Sequence, residues 1–390
     1  MEVPMFITRF LRLALIAVVY MAATAVIAQT RYIVTNDDIG FPLPNGVSFF
    51  SVGANGALTF QEQVNTHSWG INGGYFGANR VVTASDGAQP CVFISQAVSG
   101  NIAGVAVNTL SLGGVASGST TDTGQSNGIG LVVQGGYLYA SFTDSNTIGM
   151  FSIQGGCSLT FINDTAVIGT NGGGINAMAT HGSMMIVTYT DGSMESFSIA
   201  NGTPVSNGDK QVSTATVKSN DATYPNEIQI TADGHYAVFG DTSTSIILEV
   251  SDISSGKLSP TKVFGTANGI SSSNILLSPD GTVLYVVDTQ GDAVSAFAFN
   301  KSTGRLSYGC SSGPIRGQSE SWSYLAHAAL VSHKGNGGGV YVAEFGGTSG
   351  IALIHLNVAN GTCTLQEDAA SPFLDPNSTG LLSIAAATSQ

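Results

Sequence analysis

The sequence predicts an all-β chain closed into a seven-bladed β-propeller of four-stranded antiparallel blades. Three observations carry this expectation: a strand-forming composition, a repeat of about 50 residues, and a tail that supplies a strand missing from the head. Of 390 residues, 50 are Gly, about 13 % against an average of ~7 %. Only 9 % are charged while 43 % are hydrophobic, and disorder requires the reverse balance. Glycine shows no period of three, which excludes a collagen-like chain. Glu, Lys and Arg are too scarce for long helices, and the Val, Thr and aromatic content suits strands.

The repeat is clearest in NILLSPDGTVLYVVDTQGDAVSAFAFNKSTGRLS (274–307). It reads as strand, SPDG turn, strand, loop, alternating strand, STG turn and short strand. The stretch AVSAFAF (293–299) alternates apolar and polar residues, the period of a half-buried strand. Pro279 presets φ and Gly281 accepts φ > 0, so the turn has a stated mechanism. Weaker copies occupy 80–107, 129–161, 175–205, 227–259 and 327–366. Anchored on the second strand, Phe93, Tyr139, Val187, Val238, Tyr285 and Tyr341 recur at 46, 48, 51, 47 and 56 residues. Four-stranded propeller blades have such periods.

A seventh unit is split. RYIVTND (31–37), GVSFFSV (46–52) and ALTFQ (57–61) supply a second, third and fourth strand; GLLSIAAA (380–387) supplies a first. Pairing the two ends closes the ring and hides its sheet edges. One domain over 29–390 follows, because a single blade cannot bury its own faces.

Residues 1–28 are expected to be a secretory signal peptide. Arg9 and Arg12 precede the apolar run 13–28, and Val26 and Ala28 are small residues before a cleavage point. The 16-residue run is shorter than the ~20 residues of a spanning helix. Removing Glu2, Arg9 and Arg12 from 12 basic and 25 acidic side chains leaves 10 and 24, a net charge of −14. Ten dispersed cations cannot form a phosphate-binding stripe, so neither nucleic acid nor an anionic membrane is an expected partner. The expected location is secreted, periplasmic or cell-envelope, as a monomer. Cys91, Cys157, Cys310 and Cys363 could form two disulfides in any of three connectivities, or stay as buried thiols. No CxxC or His/Cys spacing implies a metal, and no cofactor motif is present.

The segments YIVTND (32–37) and LSPDGTVLYVVD (277–288), with the VSAFAFNKSTGRLS that follows, resemble the repeat of YVTN-type β-propellers, a group that includes the seven-bladed lactonase family. That resemblance implies a lactone hydrolase. It also implies a His near the start of the innermost strand, about six residues before the turn Asp. The matching positions here are Arg80, Ile129, Ile175, Glu227, Asn274 and His327.

In a propeller, innermost-strand starts and second-strand ends share the face at the channel mouth, where concave sites form. Arg80, Glu227 and His327 are the candidate catalytic residues: Glu227 or His327 as base and Arg80 as oxyanion partner. Solvated side chains lining a wet channel are the competing account. Trp69, Tyr75, Tyr224, Asn274, Trp322 and Tyr324 are the candidate ligand-binding residues, aromatic rims suiting sugars, aromatic lactones or peptides. Asp144, Asp191, Asp241, Asp288 and Glu344 end second strands and read as an acidic, solvated rim rather than a calcium site. The sequence therefore supports an exported binding or scaffold module that takes a small molecule, glycan or peptide at the mouth, with a hydrolase of a neutral lactone or sugar-derived ester as the alternative.

Overall fold

The computed structural model describes residues 29–40, 42–70, 79–117, 129–143, 145–214, 224–242, 247–265, 272–288, 291–315, 324–331, 339–345, 350–359, 362–377 and 383–389. These form seven antiparallel sheets, the blades of the expected propeller. Blade 1 pairs Arg31–Asn36, Gly46–Val52 and Leu58–Asn65 with the C-terminal strand Ser383–Thr388. Blade 2 runs Val81–Ser85, Pro90–Gln96, Asn101–Ala106 and Ser111–Ser117; blade 3 runs Ile129–Gln134, Tyr137–Phe142, Thr147–Gln154 and Ser158–Ala166. Blade 4 contains Ile175–His181, Met184–Tyr189 and Ser193–Ala200, with an interrupted outer strand made of Thr203–Ser206 and Gln211–Val212. Blade 5 runs Tyr224–Ile230, Tyr236–Thr242, Ile247–Asp252 and Lys262–Gly265. Blade 6 runs Ser272–Leu277, Val283–Asp288, Ala293–Asn300 and Arg305–Ser311. Blade 7 runs Tyr324–Val331, Gly339–Phe345, Gly350–Ala359 and Thr362–Glu367, with Phe373–Leu374 added beside the third strand.

The ends of the chain close the ring. Arg31–Asn36 lies antiparallel to Ser383–Thr388, with Tyr32 opposite Ala387 and Asn36 opposite Ser383. The N–H of Ser389 donates to the carbonyl of Thr30 at 2.9 Å, which extends the ladder by one bond.

The core is distributed rather than central. Seven buried apolar clusters occur among the described residues, one at each blade-to-blade interface. Strand alternation explains this: adjacent residues point to opposite faces. In the second strand of blade 1, Ile33 packs toward blade 7 while Val34 packs toward blade 2. A second strand therefore reads as an unbroken apolar run, because both its faces are covered.

The turns behave as their residues dictate. In SPDG, Ser278 donates to Asp280 at 2.7 Å, Asp280 accepts the N–H of Thr282 at 3.1 Å, and Gly281 takes φ +67°. The cysteines pair as Cys91–Cys157 and Cys310–Cys363, with Cα atoms 5.5 and 5.6 Å apart. The first joins blades 2 and 3, the second blades 6 and 7. Among the described residues no helix is long and apolar enough to cross a membrane. The expected signal peptide, residues 1–28, lies outside the described residues.

Candidate functional site

The innermost strands line a central channel of about 520 Å³. Its wall is mostly apolar, with Val81, Leu131, Met178, Ile228 and Leu276 among the lining residues, and Asn79 and His327 join them at the mouth. No Lys or Arg is among the described residues that line it.

Local backbone irregularity sets the polar end of this channel. In blades 4, 5, 6 and 7 the innermost strand slips against the second strand near its start: between Ile175 and Ala177, Pro225 and Glu227, Ser272 and Asn274, and Leu325 and Ala328. A bulge inserts an extra residue and re-aims side chains. The four slips fall at equivalent places, and the polar residues beside them bridge from blade to blade. Asn176 donates from Nδ2 to the carbonyl of Pro225 at 2.6 Å. Glu227 interacts with the side chain of Asn274, whose Oδ1 accepts the N–H of Ala328 at 3.1 Å. His327 Nε2 lies 2.7 Å from Asn79 Oδ1, and the carbonyl of Asn79 accepts the N–H of Leu131 at 2.7 Å. A polar girdle thus runs from blade 4 through blades 5, 6 and 7 to blades 2 and 3.

Glu227 is 1 % exposed and His327 5 % exposed, so these are not solvated side chains in a wet channel. Burial pushes the Glu227 carboxyl up to about 8; hydrogen bonds from the Ile228 N–H, at 3.3 Å, and from Asn274 oppose this in part. Burial pulls the His327 imidazole down to about 4, opposed by the Ile384 backbone. At neutral pH the site therefore holds a protonated carboxyl and an uncharged imidazole. An imidazole proton carried on Nε2 would be donated to Asn79 Oδ1.

Arg80 is fully buried and is bound elsewhere. Its NH1 contacts both carboxylate oxygens of Asp38 at 3.1 Å. Its own N–H donates to Ser383 Oγ at 3.4 Å, and its carbonyl accepts the N–H of Ser95 at 2.9 Å. Arg80 thus ties blade 2 to the loop after the first strand of the chain and to the C-terminal strand. Gly70 permits the close packing of that loop: a Cβ there would lie 2.5 Å from the Asp38 carbonyl carbon.

Of the aromatic candidates, Trp69 is 39 % exposed and its N–H donates to Ser99 Oγ at 2.9 Å. Tyr224 and Tyr324 begin the innermost strands of blades 5 and 7. Tyr75 and Trp322 lie outside the described residues. Asn274 is 1 % exposed and belongs to the girdle.

Three of the acidic second-strand ends are buried rather than solvated, whereas Asp191 is half-buried. Asp241, Asp288 and Glu344 are 0 %, 4 % and 1 % exposed, enclosed by their neighbours. Burial, then repulsion from Glu367 and Asp292, pushes Glu344 up to about 8. Burial and the adjacent Glu249 carboxyl raise Asp241 well above its usual value. Burial thus disfavours the charged form of Asp241 and of Glu344. Asp144 lies outside the described residues.

Asn79, Asn176 and Asp38 were not among the sequence candidates. Asn79 and Asn176 each stand one residue from a position that the spacing selects, and allowing for a one-residue bulge would have found Asn176. Asp38 carries no comparable signal, since its partner is 42 positions away in sequence.

A closed ring of seven blades, with a girdled channel through it, defines a seven-bladed propeller. The model of the family "Lactonase, 7-bladed beta-propeller" matches residues 92–376, and the chain belongs to that family. No curated protein matches the sequence. Among solved structures it is similar to the periplasmic gluconolactonase PpgL of Pseudomonas aeruginosa, at 16 % identity and TM-score 0.56 over 74 % of this chain and 84 % of that one. It is similar to a functionally unknown protein of Desulfotomaculum acetoxidans, at 15 % identity and TM-score 0.60 over 91 % and 99 %. Kluyveromyces lactis Hsv2 is a third, at 11 % identity and TM-score 0.53 over 87 % and 98 %. At these identities the likeness concerns the fold alone.

Proposed function

We propose that this chain is an exported hydrolase of neutral lactones or sugar-derived esters, with Glu227 of the polar girdle as its acid and His327 of the channel wall as its base. The observation that carries the reading is His327 in the wall of a channel of about 520 Å³, in a propeller of the lactonase family. Nδ1 takes a proton from the attacking water, and the water oxygen bonds to the lactone carbonyl carbon. The ring C–O bond then breaks, and the protonated Glu227 gives its proton to the departing alkoxide, leaving a hydroxy acid. Asn79 is the positioning residue that fixes the tautomer of His327. Arg80, engaged by Asp38, serves to hold the mouth together rather than to meet the oxyanion.

A neutral substrate is favoured because no cation among the described residues lines the channel. A phosphorylated lactone would be desolvated there without a counter-charge. Export is supported by the leader-like residues 1–28, the two disulfides and the periplasmic location named for PpgL. Binding without turnover, the second reading, is favoured by the exposed Trp69 at the rim.

The deciding experiment is pH-stat hydrolysis of a panel of neutral lactones. The rate should rise as His327 loses its proton above about pH 4 and fall as Glu227 loses its own above about pH 8. Glu227→Gln and His327→Ala should each lower kcat by roughly 10²–10⁴-fold. No proton release on any lactone, with glycan binding lost in Trp69→Ala, would replace this reading with the binding one.

A further inference from the structure

A second cavity, of about 470 Å³, opens between blades 3 and 4 outside the ring of innermost strands. Its size falls in the ~300–1,000 Å³ range of small-molecule sites. Its polar side is built around Glu195, whose side chain is only 8 % exposed. One oxygen of Glu195 accepts the Ser206 hydroxyl. The other accepts the Tyr189 hydroxyl at 3.2 Å and lies 3.3 Å from Lys210 Nζ. Lys210 also donates to the Ile168 carbonyl and sits 5.4 Å from the centre of the Tyr189 ring. An ammonium has three donors, so one remains to meet a ligand. Asn146 adds an amide to the wall, and its buried Oδ1 has no hydrogen-bond partner. Phe197 forms an apolar side. Ile168, 51 % exposed, stands at the rim.

We propose that this pocket binds a neutral, polyhydroxylated ligand of the monosaccharide class. The charges of Glu195 and Lys210 cancel, so neither an anion nor a cation finds an uncompensated partner. A free ammonium proton, a buried amide oxygen and a carboxylate within one pocket suit adjacent hydroxyls, which both donate and accept. The apolar side and rim suit the C–H face of a sugar ring. The site is separate from the channel and does not depend on any reaction there.

The test is titration calorimetry and saturation-transfer NMR on the full chain with D-glucose, D-galactose and N-acetyl-D-glucosamine. At least one sugar should bind saturably. Lys210→Met and Ile168→Glu, at partly exposed positions, should each weaken it about tenfold or more, a change of about 1.4 kcal/mol. Both variants should hydrolyse lactones as the unmodified chain does, and His327→Ala should leave sugar affinity within about twofold. Binding of none of the three sugars at millimolar concentration would overturn the proposal. So would unaltered affinity in both pocket variants, or affinity lost in His327→Ala.

Discussion

Arg80 illustrates how a polar residue at a channel mouth can be structural. Its charge is compensated by Asp38 in a site from which water is excluded. Losing one member of a buried pair typically costs about 3–5 kcal/mol, because the survivor stays buried and unpaired. Arg80→Met and Asp38→Asn should each destabilise by that order in urea unfolding. The double variant should recover part of the loss, and additive losses would contradict the pairing. Residue types and spacing showed which side chains reach the mouth. They could not show which were already engaged, since the partner of Arg80 comes from another blade. The girdle was partly legible for a related reason. Glu227, Asn274 and His327 fell to a fixed count along the repeat, whereas Asn79 and Asn176 sit one step off it, Asn176 at the slip in its strand.

At the scale of the strand and blade, the sequence was far more informative. Turn chemistry such as SPDG and the period-two pattern are local, and local physics decides them. The split blade was legible for the same reason: three strands without a first, and one strand without followers, have one economical arrangement. The interrupted outer strand of blade 4 was not legible, because it turns on a contact from Asp209, inside the interruption, to Ser196 of the third strand. Its carboxylate takes the N–H of Ser196 at 2.9 Å and the Ser196 hydroxyl at 2.6 Å, where a continuous strand would have paired. Disulfide pairing was equally hidden, since it depends on which blades are neighbours. Cys91–Cys157 closes a span of 66 residues and Cys310–Cys363 one of 53. Restricting the unfolded chain this way is worth about 4 kcal/mol per bridge on the loop-entropy account. Replacing Cys91 and Cys157 by Ser should lower the unfolding free energy by that order, measured in guanidinium with the other bridge intact.

For the whole molecule, the balance of protons matters as much as the balance of apolar surface. Glu227 and Glu344 are pushed up to about 8 and Asp37, buried near Asp375, to about 7. Their unfolded values lie near 4.5 for Glu and 3.8 for Asp. The folded chain therefore keeps protons that the unfolded chain sheds as pH rises through 4. This stabilisation is fully present below those unfolded values and is lost as pH climbs through 7 and 8. His327 acts in the opposite sense, losing its contribution as pH falls from 6.5 toward 4. The melting temperature should fall between pH 6 and pH 9, and less steeply in Glu344→Gln. An unchanged melting temperature over that interval would refute the assignment. The placement of the bridges has a mechanical corollary. They brace blades 2 with 3 and 6 with 7, while the seam in blade 1 is crossed by ladder hydrogen bonds and apolar packing but by no disulfide. Stretched from its two ends in an optical trap, the molecule should shear first between 31–36 and 383–388. The 66- and 53-residue spans should stay shut until a reductant is added, leaving an extension short of the full contour length.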